Sequence, residues 1–457
     1  MKSTGAVITV FALTATQFAI VDAQEHDPNL GLVPVTEFEG PALEFDFPGL
    51  SVGVAEYAEG PTGTTVIHFG KSVMGTVDVR GGGPGTMNSI LLQQADETPR
   101  LHAISLSGGS AYGLGAAAGA SKEIKSLLDD PGWFTKIAVV SGAIIFDLGG
   151  RRYNAVTPDE KLGRAAIRAM RPGYFPLGAH GAGRFAIQGG YYGARHHSGQ
   201  GAAFGQYGNI RIAVFTVVNS IGSIVDRSGH FVRCGVPSRS DCPTAESTLY
   251  VPSDNDDALV SATGGITSNT TISLVVTNQQ LSYGELRRLA MQTHTSMARA
   301  IQPFHTLNDG DTLFAVTTGE VRDETMSIGK LGVLASELAW DAVLSSVPPL
   351  ERRPSASKRT PPVNELSRHT GNYVFAPGME AIVSVSDNQL AIKAPDRYSM
   401  YLPANASVTM TPAENGDFLL NTDRKDVVRF DMNDDGITIG LTINPGRWPV
   451  KADKTNR

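Results

Sequence analysis

The chain has 457 residues, with 38 Lys and Arg against 45 Asp and Glu and a formal net charge of −7, so no overall basic field recruits nucleic acid or an anionic membrane surface. Apolar residues make up 41% and glycines number 50, above the usual glycine share of about 7%. This excludes a disordered or fibrous chain and leaves a Gly-rich globular one long enough for two or three domains.

Residues 1–23 begin with Lys2, continue through an apolar stretch from Ala6 to Ile20 and end in Val21-Asp22-Ala23. That is the pattern of a cleavable secretory signal, shorter than the ~20 apolar residues a membrane anchor needs. The expectation is a secreted or periplasmic protein with no membrane anchor after signal removal. In such a compartment the only two cysteines, Cys234 and Cys242, form one local disulfide loop.

Residues 30–345 mix short strands with Ala- and Gly-rich helices. The first helix is predicted over Ser110–Leu128, where Gly113, Gly115 and Gly119 allow close backbone packing. Ile210–Val218 and Thr271–Thr277 read as buried strands. A second helix starts at Ser282, with Glu285 completing a capping box, and a third spans Ile328–Leu344. Strands and helices in separate layers fit an α+β sandwich. Residues 346–362 crowd Pro348, Pro349, Pro354, Pro361 and Pro362 together and read as a linker. Residues 363–452 alternate apolar and polar between Asp, Asn and Gly turns, the pattern of a small all-β domain.

Several motifs fail on inspection. Gly70-Lys71-Ser72 ends like a phosphate loop, but the required Gly is Thr65. Gly108-Gly109-Ser110-Ala111-Tyr112 has Tyr where a nucleophile elbow has its second Gly. Asp431, Asn433, Asp435 and Gly436 open like a calcium loop, yet Thr442 holds the twelfth position between strands, so the segment reads as a hairpin turn. Ser327-Ile328-Gly329-Lys330 and Ser355-Ala356-Ser357-Lys358 fit Ser-x-x-Lys, but no Lys-Thr-Gly follows either. No zinc spacing occurs among the histidines, and no metal or organic cofactor is expected. Asn269-Thr270-Thr271 follows the flexible Gly264-Gly265-Ile266-Thr267-Ser268 and precedes a buried strand. Those residues alone read first as a strand entry with a glycosylation sequon, like Asn405-Ala406-Ser407, and only second as a peptide bond bent against a hydroxyl.

Four segments, Val77–Thr86, His102–Leu114, Asn269–Thr271 and Ala298–Thr312, resemble in that order the P1-family peptidases, the group of the aminopeptidase DmpA and the nylon-oligomer hydrolases. The resemblance spans about residues 48–345. It implies an αββα four-layer sandwich related to N-terminal-nucleophile hydrolases, a homo-oligomer, and one internal cleavage between Asn269 and Thr270. It makes Thr270 the nucleophile; its freed α-amine, of ordinary pKa about 7.7–8.0, is then the general base. Asp309 and Asp311 match an acidic pair that orients the threonine, although Asn-Asp-Gly-Asp is also an ordinary turn sequence. Asn219 matches an amide beside the nucleophile that can donate to an oxyanion. Gly81, Gly82, Gly83, Gly108 and Gly109, with Ser110, are expected in tight turns where backbone N–H groups approach substrate.

In the tail, Glu365–Tyr373 and Phe430–Ile439 resemble the lipocalin-like β-barrel appended to serine β-lactamase-type proteins. The function expected is an exported, self-processing N-terminal-threonine amidohydrolase or aminopeptidase acting on a small peptide or peptide-like amide. One position departs from the pattern. Relatives of the nylon-hydrolase type carry a Lys after a Gly-Ala-Gly segment; here Gly181-Ala182-Gly183 leads to Gly190, and no Lys occurs between Lys161 and Lys330. Arg184, Arg195 and His196 are the nearby candidates for positive charge. The departure motivates a second reading, an unprocessed, catalytically inactive ligand-binding scaffold.

Overall fold

The computed structural model describes residues 27–93, 100–129, 132–133, 136–148, 155–192, 196–234, 244, 269–349, 352–394, 401–403, 405–422, 425–446 and 448–455. The leader expected over 1–23 lies outside them. A ten-stranded sheet organises the first part. Its long strands are β1 (Ser51–Tyr57), β2 (Thr62–Val79), β3 (Arg100–Ser107), β4 (Val140–Ile144), β5 (Gln200–Tyr207), β6 (Ile210–Asn219), β7 (Thr270–Gln279) and β8 (Thr312–Val321). They run in the order β5-β6-β7-β8-β2-β3-β4, with β1 also on β2. The pairs β7/β8 and β3/β4 are parallel.

The 18-residue β2 is the seam of this sheet. Its first half pairs with β1 and β3, its second half from Met74 to Val79 pairs with β8, and the register on β3 slips between His68 and Val73. Two leaves result, and they share one apolar core: Val54, Ile67 and Leu106 from the first meet Phe215, Leu274 and Phe314 from the second. On the outer face of the first leaf lie α1 (Leu114–Lys125) and α2 (Glu160–Arg168); α3 (Tyr283–Ser296) and α4 (Ile328–Ser345) cover the second. The result is the αββα sandwich.

Strand periodicity of two sorts the side chains between layers. Along β7, Ile272, Leu274 and Val276 enter the inter-leaf core while Val275 faces α3 and α4. Every residue of β7 is buried, which is why Thr271–Thr277, rich in Val, Ile and Thr, reads as a near-continuous buried run rather than an alternation. Of the glycines expected to allow close packing, Gly119 brings two helices together, met by Gly163 from the other side. A Cβ at Gly119 would lie 2.1 Å from Glu160 O, and one at Gly163 1.9 Å from Ala116 O, so α1 and α2 meet backbone to backbone. The helix predicted from Ser110 opens with a 3-10 turn over Ser110–Gly113 before α1. The capping box of α3 is formed, with Ser282 and Glu285 each accepting the other's backbone N–H.

After α4 the chain passes along a barrel, where Ser357 N donates to Pro412 O at 2.8 Å. Eight antiparallel strands close it: β9 (Gly371–Ala376), β10 (Met379–Ser386), β11 (Gln389–Lys393), β12 (Ser407–Pro412), β13 (Phe418–Leu420), β14 (Val427–Met432), β15 (Thr438–Ile443) and β16 (Val450–Thr455). Eight strands leave an interior about as wide as the side chains that fill it; Tyr373, Ile392, Met410, Val428 and Leu441 do so here. The calcium-like run is the β14–β15 turn, with Asn433 Oδ1 accepting from the N–H groups of Asp435 and Ile437.

Candidate active site

The last residue of β6 stands opposite the first of β7: Asn219 pairs with Thr270. Thr270 shares the parity of Ile272, and Asn219 that of Phe215 and Val217, so both side chains belong to the inter-leaf face. Thr270 is 1% exposed and Asn219 fully buried. Parallel pairing of β7 with β8 brings the two strand starts together, and the loop before β8 closes over the Asn269–Thr270 peptide. Asn269 N donates to Asn308 O at 3.0 Å, and Gly310 N donates to Asn269 O at 2.7 Å. The Thr270 hydroxyl folds back to 2.5 Å from that same Asn269 carbonyl oxygen. Only glycine fits at 310, because a Cβ there would stand 2.7 Å from both Thr270 Oγ1 and Gly83 O.

Asp309 and Asp311 flank this glycine and are both fully buried. Asp311 Oδ1 accepts from Thr271 N at 2.8 Å; its Oδ2 accepts from His305 N at 3.0 Å and meets His305 Nδ1 at 3.1 Å. Asp309 accepts from Ile221 N at 3.3 Å and from the Thr306 hydroxyl at 2.6 Å. Burial, reinforced by the neighbouring Asp311 charge, pushes the Asp309 carboxyl up to about 6. The folded protein therefore holds this proton more tightly than the unfolded chain, whose group titrates near 3.8, and stability from Asp309 falls as pH rises through that window. In a Thr270→Ala background, adding Asp309→Asn removes that slope. Urea midpoints at pH 4.5 and 7 are expected to shift in favour of the Asn variant at the higher pH.

A second row stands behind Asp311. His305 adopts φ +59, uncommon without glycine, and with this backbone both its N–H and its ring reach Asp311. Its ring lies edge-to-face against His294 at 4.4 Å, and His294 Nδ1 is 2.8 Å from Asp78 Oδ2, which Arg80 Nε also reaches at 2.6 Å. Burial lowers the His294 pKa. Sequence reasoning missed this row. Asp78 and His305 sit inside quoted motifs, but His294 is 216 positions from Asp78 and no spacing rule connects them.

The N–H groups of the glycines bond within the protein. Gly81 N donates to Asp311 O, Gly82 N to Thr306 O, Gly83 N to Asp309 O and Gly108 N to Gly63 O, while Gly109 N donates to Asp147 Oδ1. Their amides thus brace the turns that carry them. A Cβ would lie 2.2 Å from Asp311 N at Gly81 and 2.2 Å from Leu307 O at Gly82, so glycine is what lets the 81–83 turn press against the acidic loop. Ser110, at φ +55, donates its N–H to Ile145 O. Asn219 Oδ1 accepts from Ile187 N at 3.0 Å and its Nδ2 donates to Phe146 O at 3.1 Å, leaving a second N–H without a partner among the described residues.

Of the cationic candidates, Arg184 is engaged elsewhere. Arg184 Nε pairs with Glu56 at 3.0 Å and its Nη2 donates to Pro449 O. Burial and the Arg233 charge lower the His196 pKa, and Arg195 lies outside the described residues. Gly190 opens a turn beside the site, with Tyr191 N donating to Ile221 O at 2.9 Å. Cys234 is disulfide-bonded; Cys242 lies outside the described residues. Among the described residues no cluster of three or more His, Cys, Asp or Glu could hold a metal ion.

Comparison with known proteins covers the sandwich. Residues 45–352 match peptidase family S58. A 6-aminohexanoate-oligomer endohydrolase of Paenarthrobacter ureafaciens is 42% identical over 328 residues, 69% of this chain and 88% of that protein. An uncharacterized aminopeptidase of Mycobacterium tuberculosis is 32% identical over 306 residues, 62% of this chain and 85% of that protein. Among solved structures, a Burkholderia sp. beta-aminopeptidase aligns with a TM-score of 0.48 at 16% identity, covering 68% of this chain and 88% of its own.

Proposed function

The chain belongs to peptidase family S58, and on that premise we propose that it is an exported amidohydrolase that cuts itself before Thr270 and then uses Thr270 as an N-terminal nucleophile. The observation that carries this is the Thr270 hydroxyl lying against an Asn269 carbonyl that also accepts the Gly310 N–H. In the first step Thr270 Oγ1 bonds to the Asn269 carbonyl carbon and gives up its proton, while the Gly310 N–H stabilises negative charge on the carbonyl oxygen. The C–N bond then breaks, and the Thr270 nitrogen takes the proton and becomes a free amine. The ester left between Asn269 and Thr270 is hydrolysed by water, which releases Asn269 as a carboxylate and restores the hydroxyl. Thereafter the Thr270 amine accepts the hydroxyl proton as a substrate amide is attacked, and the second amide N–H of Asn219, the residue paired with Thr270, donates to the oxyanion.

The substrate class is a peptide or peptide-like amide cut near a free amino end, consistent with relatives named for 6-aminohexanoate oligomers and as aminopeptidases. The test is a time course on freshly purified full-length chain with a 6-aminohexanoate oligomer and an aminoacyl nitroanilide. Turnover is expected to grow in step with fragment release; turnover by chain that stays uncleaved contradicts the mechanism. Gly190 and the engaged Arg184 favour the second reading, an uncleaved scaffold, and Thr270-dependent turnover of either amide eliminates it.

A further inference from the structure

The match to family S58 ends at residue 352, before the barrel begins, yet the barrel is locked into the loop that holds Asn219. Phe185 of the sandwich, 2% exposed, packs into the barrel's apolar core. Trp448, between β15 and β16 and 5% exposed, donates its indole N–H to Ser198 O at 2.9 Å. Its ring stacks on His197 at 4.6 Å and 16°, and the Arg233 guanidinium stands 4.6 Å from its centroid. The Tyr401 hydroxyl donates to Trp448 O at 2.9 Å and lies 3.3 Å from His197 Nε2. One residue further on, Pro449 O accepts from Arg184, whose ion pair with Glu56 is buried on both sides.

Ser198 transmits this contact inward. Its carbonyl takes the Trp448 N–H, its own N–H donates to Ala186 O at 3.0 Å, and its hydroxyl donates to Val218 O at 2.5 Å. Those two carbonyls belong to the neighbours of Ile187 and Asn219, the residues joined by the Ile187 N to Asn219 Oδ1 bond. That bond fixes which way the Asn219 amide faces. A flipped amide would set its NH2 against the Ile187 N–H and its oxygen against Phe146 O. The described residues between 181 and 199 carry only single turns and two-residue strand pairings, so they have little regular structure of their own to resist that flip. A buried tryptophan contributes the largest single packing surface a side chain offers.

We infer that the C-terminal barrel is a working part of the sandwich's site and that Trp448 is a positioning residue, acting through Ser198 and Ile187 on the Asn219 amide opposite Thr270. The kinetic half of this inference rests on the function proposed above; the docking half does not. A barrel serving only to capture a larger target would leave turnover of small substrates untouched.

The experiment compares full-length Trp448→Ala, Trp448→Phe, Asn219→Ala and the Trp448→Ala/Asn219→Ala double variant, read by kcat and KM on the two small amides and by hydrogen exchange. Trp448→Ala is expected to lower kcat about 10- to 100-fold with little change in KM. Trp448→Phe, which keeps the ring and drops the N–H to Ser198 O, recovers only the part of that loss due to packing. The double variant falls no further than Asn219→Ala, as residues acting through one contact do. The Ile187 and Ser198 amides exchange faster in Trp448→Ala while those of β7 stay protected. A Trp448→Ala kcat within about twofold of wild type, or losses that multiply in the double variant, overturns the inference. If the wild type hydrolyses neither amide, the proposed activity fails, and exchange at Ile187 alone decides the docking: acceleration supports it and unchanged protection overturns it.

Discussion

Thr270→Ala is expected to leave the chain uncut and to reduce amide hydrolysis by about 10⁴- to 10⁶-fold, the scale seen when a catalytic nucleophile is removed. The reason is that one oxygen has both assignments. It lies 2.5 Å from the Asn269 carbonyl oxygen in the uncut chain, and after cleavage no other hydroxyl shares its position beside the new amine. The fold itself should survive. Among the described residues Thr270 Oγ1 makes one hydrogen bond, to the neighbouring carbonyl, and the methyl left by Ala still packs at the start of a strand buried along its whole length. Gel electrophoresis and an amide hydrolysis assay on the same preparation check both halves. Thr270→Ser, which keeps the oxygen, is expected to cleave, and its failure alongside Thr270→Ala would point to a packing requirement in place of a chemical one.

Asp311→Asn is expected to slow internal cleavage about 10²- to 10³-fold, comparable to the loss of an electrostatic contact in other hydrolases. A carboxylate at 311 offers acceptors on both sides: Thr271 N on one, the N–H and ring of His305 on the other. An amide offers an acceptor on one side only, so its NH2 must oppose a buried N–H, and the start of β7 moves relative to the loop that carries Gly310. The same change removes the charge that helps raise Asp309, leaving burial as the main cause of its shift. Three donors surround Asp309, an arrangement that suits its ionised, acceptor-only form. The wild-type rate should therefore rise with pH as Asp309 loses its proton near 6, and in Asp311→Asn that rise should begin at lower pH. Cleavage rates between pH 4.5 and 8 measure both effects. A rate within about threefold of wild type with an unmoved acid limb contradicts this role for Asp311.

The parts of this molecule legible in the sequence are those set by local pattern. The β-branched run of β7, the capping box at Ser282 and Glu285 and the small residues of α1 each declare a backbone shape within a few positions. The Thr270 neighbourhood was legible because the motifs flanking it run in one order. Contacts created by the fold were not. The seam in β2 falls where a single strand changes partners, and no turn signal announces it apart from Gly70. The Asp78–His294–His305 row joins β2, α3 and the acidic loop only once β8 has paired with β2. The glycines at 81, 82, 108 and 109 were legible as tight turns, but whether their N–H groups face substrate or the protein depends on what lies opposite, which sequence spacing does not state. The grip of Trp448 on Ser198 spans 250 positions and two domains, beyond any local signal.

The most direct test of the account is N-terminal sequencing and intact mass of the purified full-length protein after prolonged incubation. The account predicts two fragments, the C-terminal one beginning Thr270-Thr271-Ile272 and carrying the whole barrel. A chain that stays whole apart from loss of its leader, or an internal cut at any other bond, would contradict it.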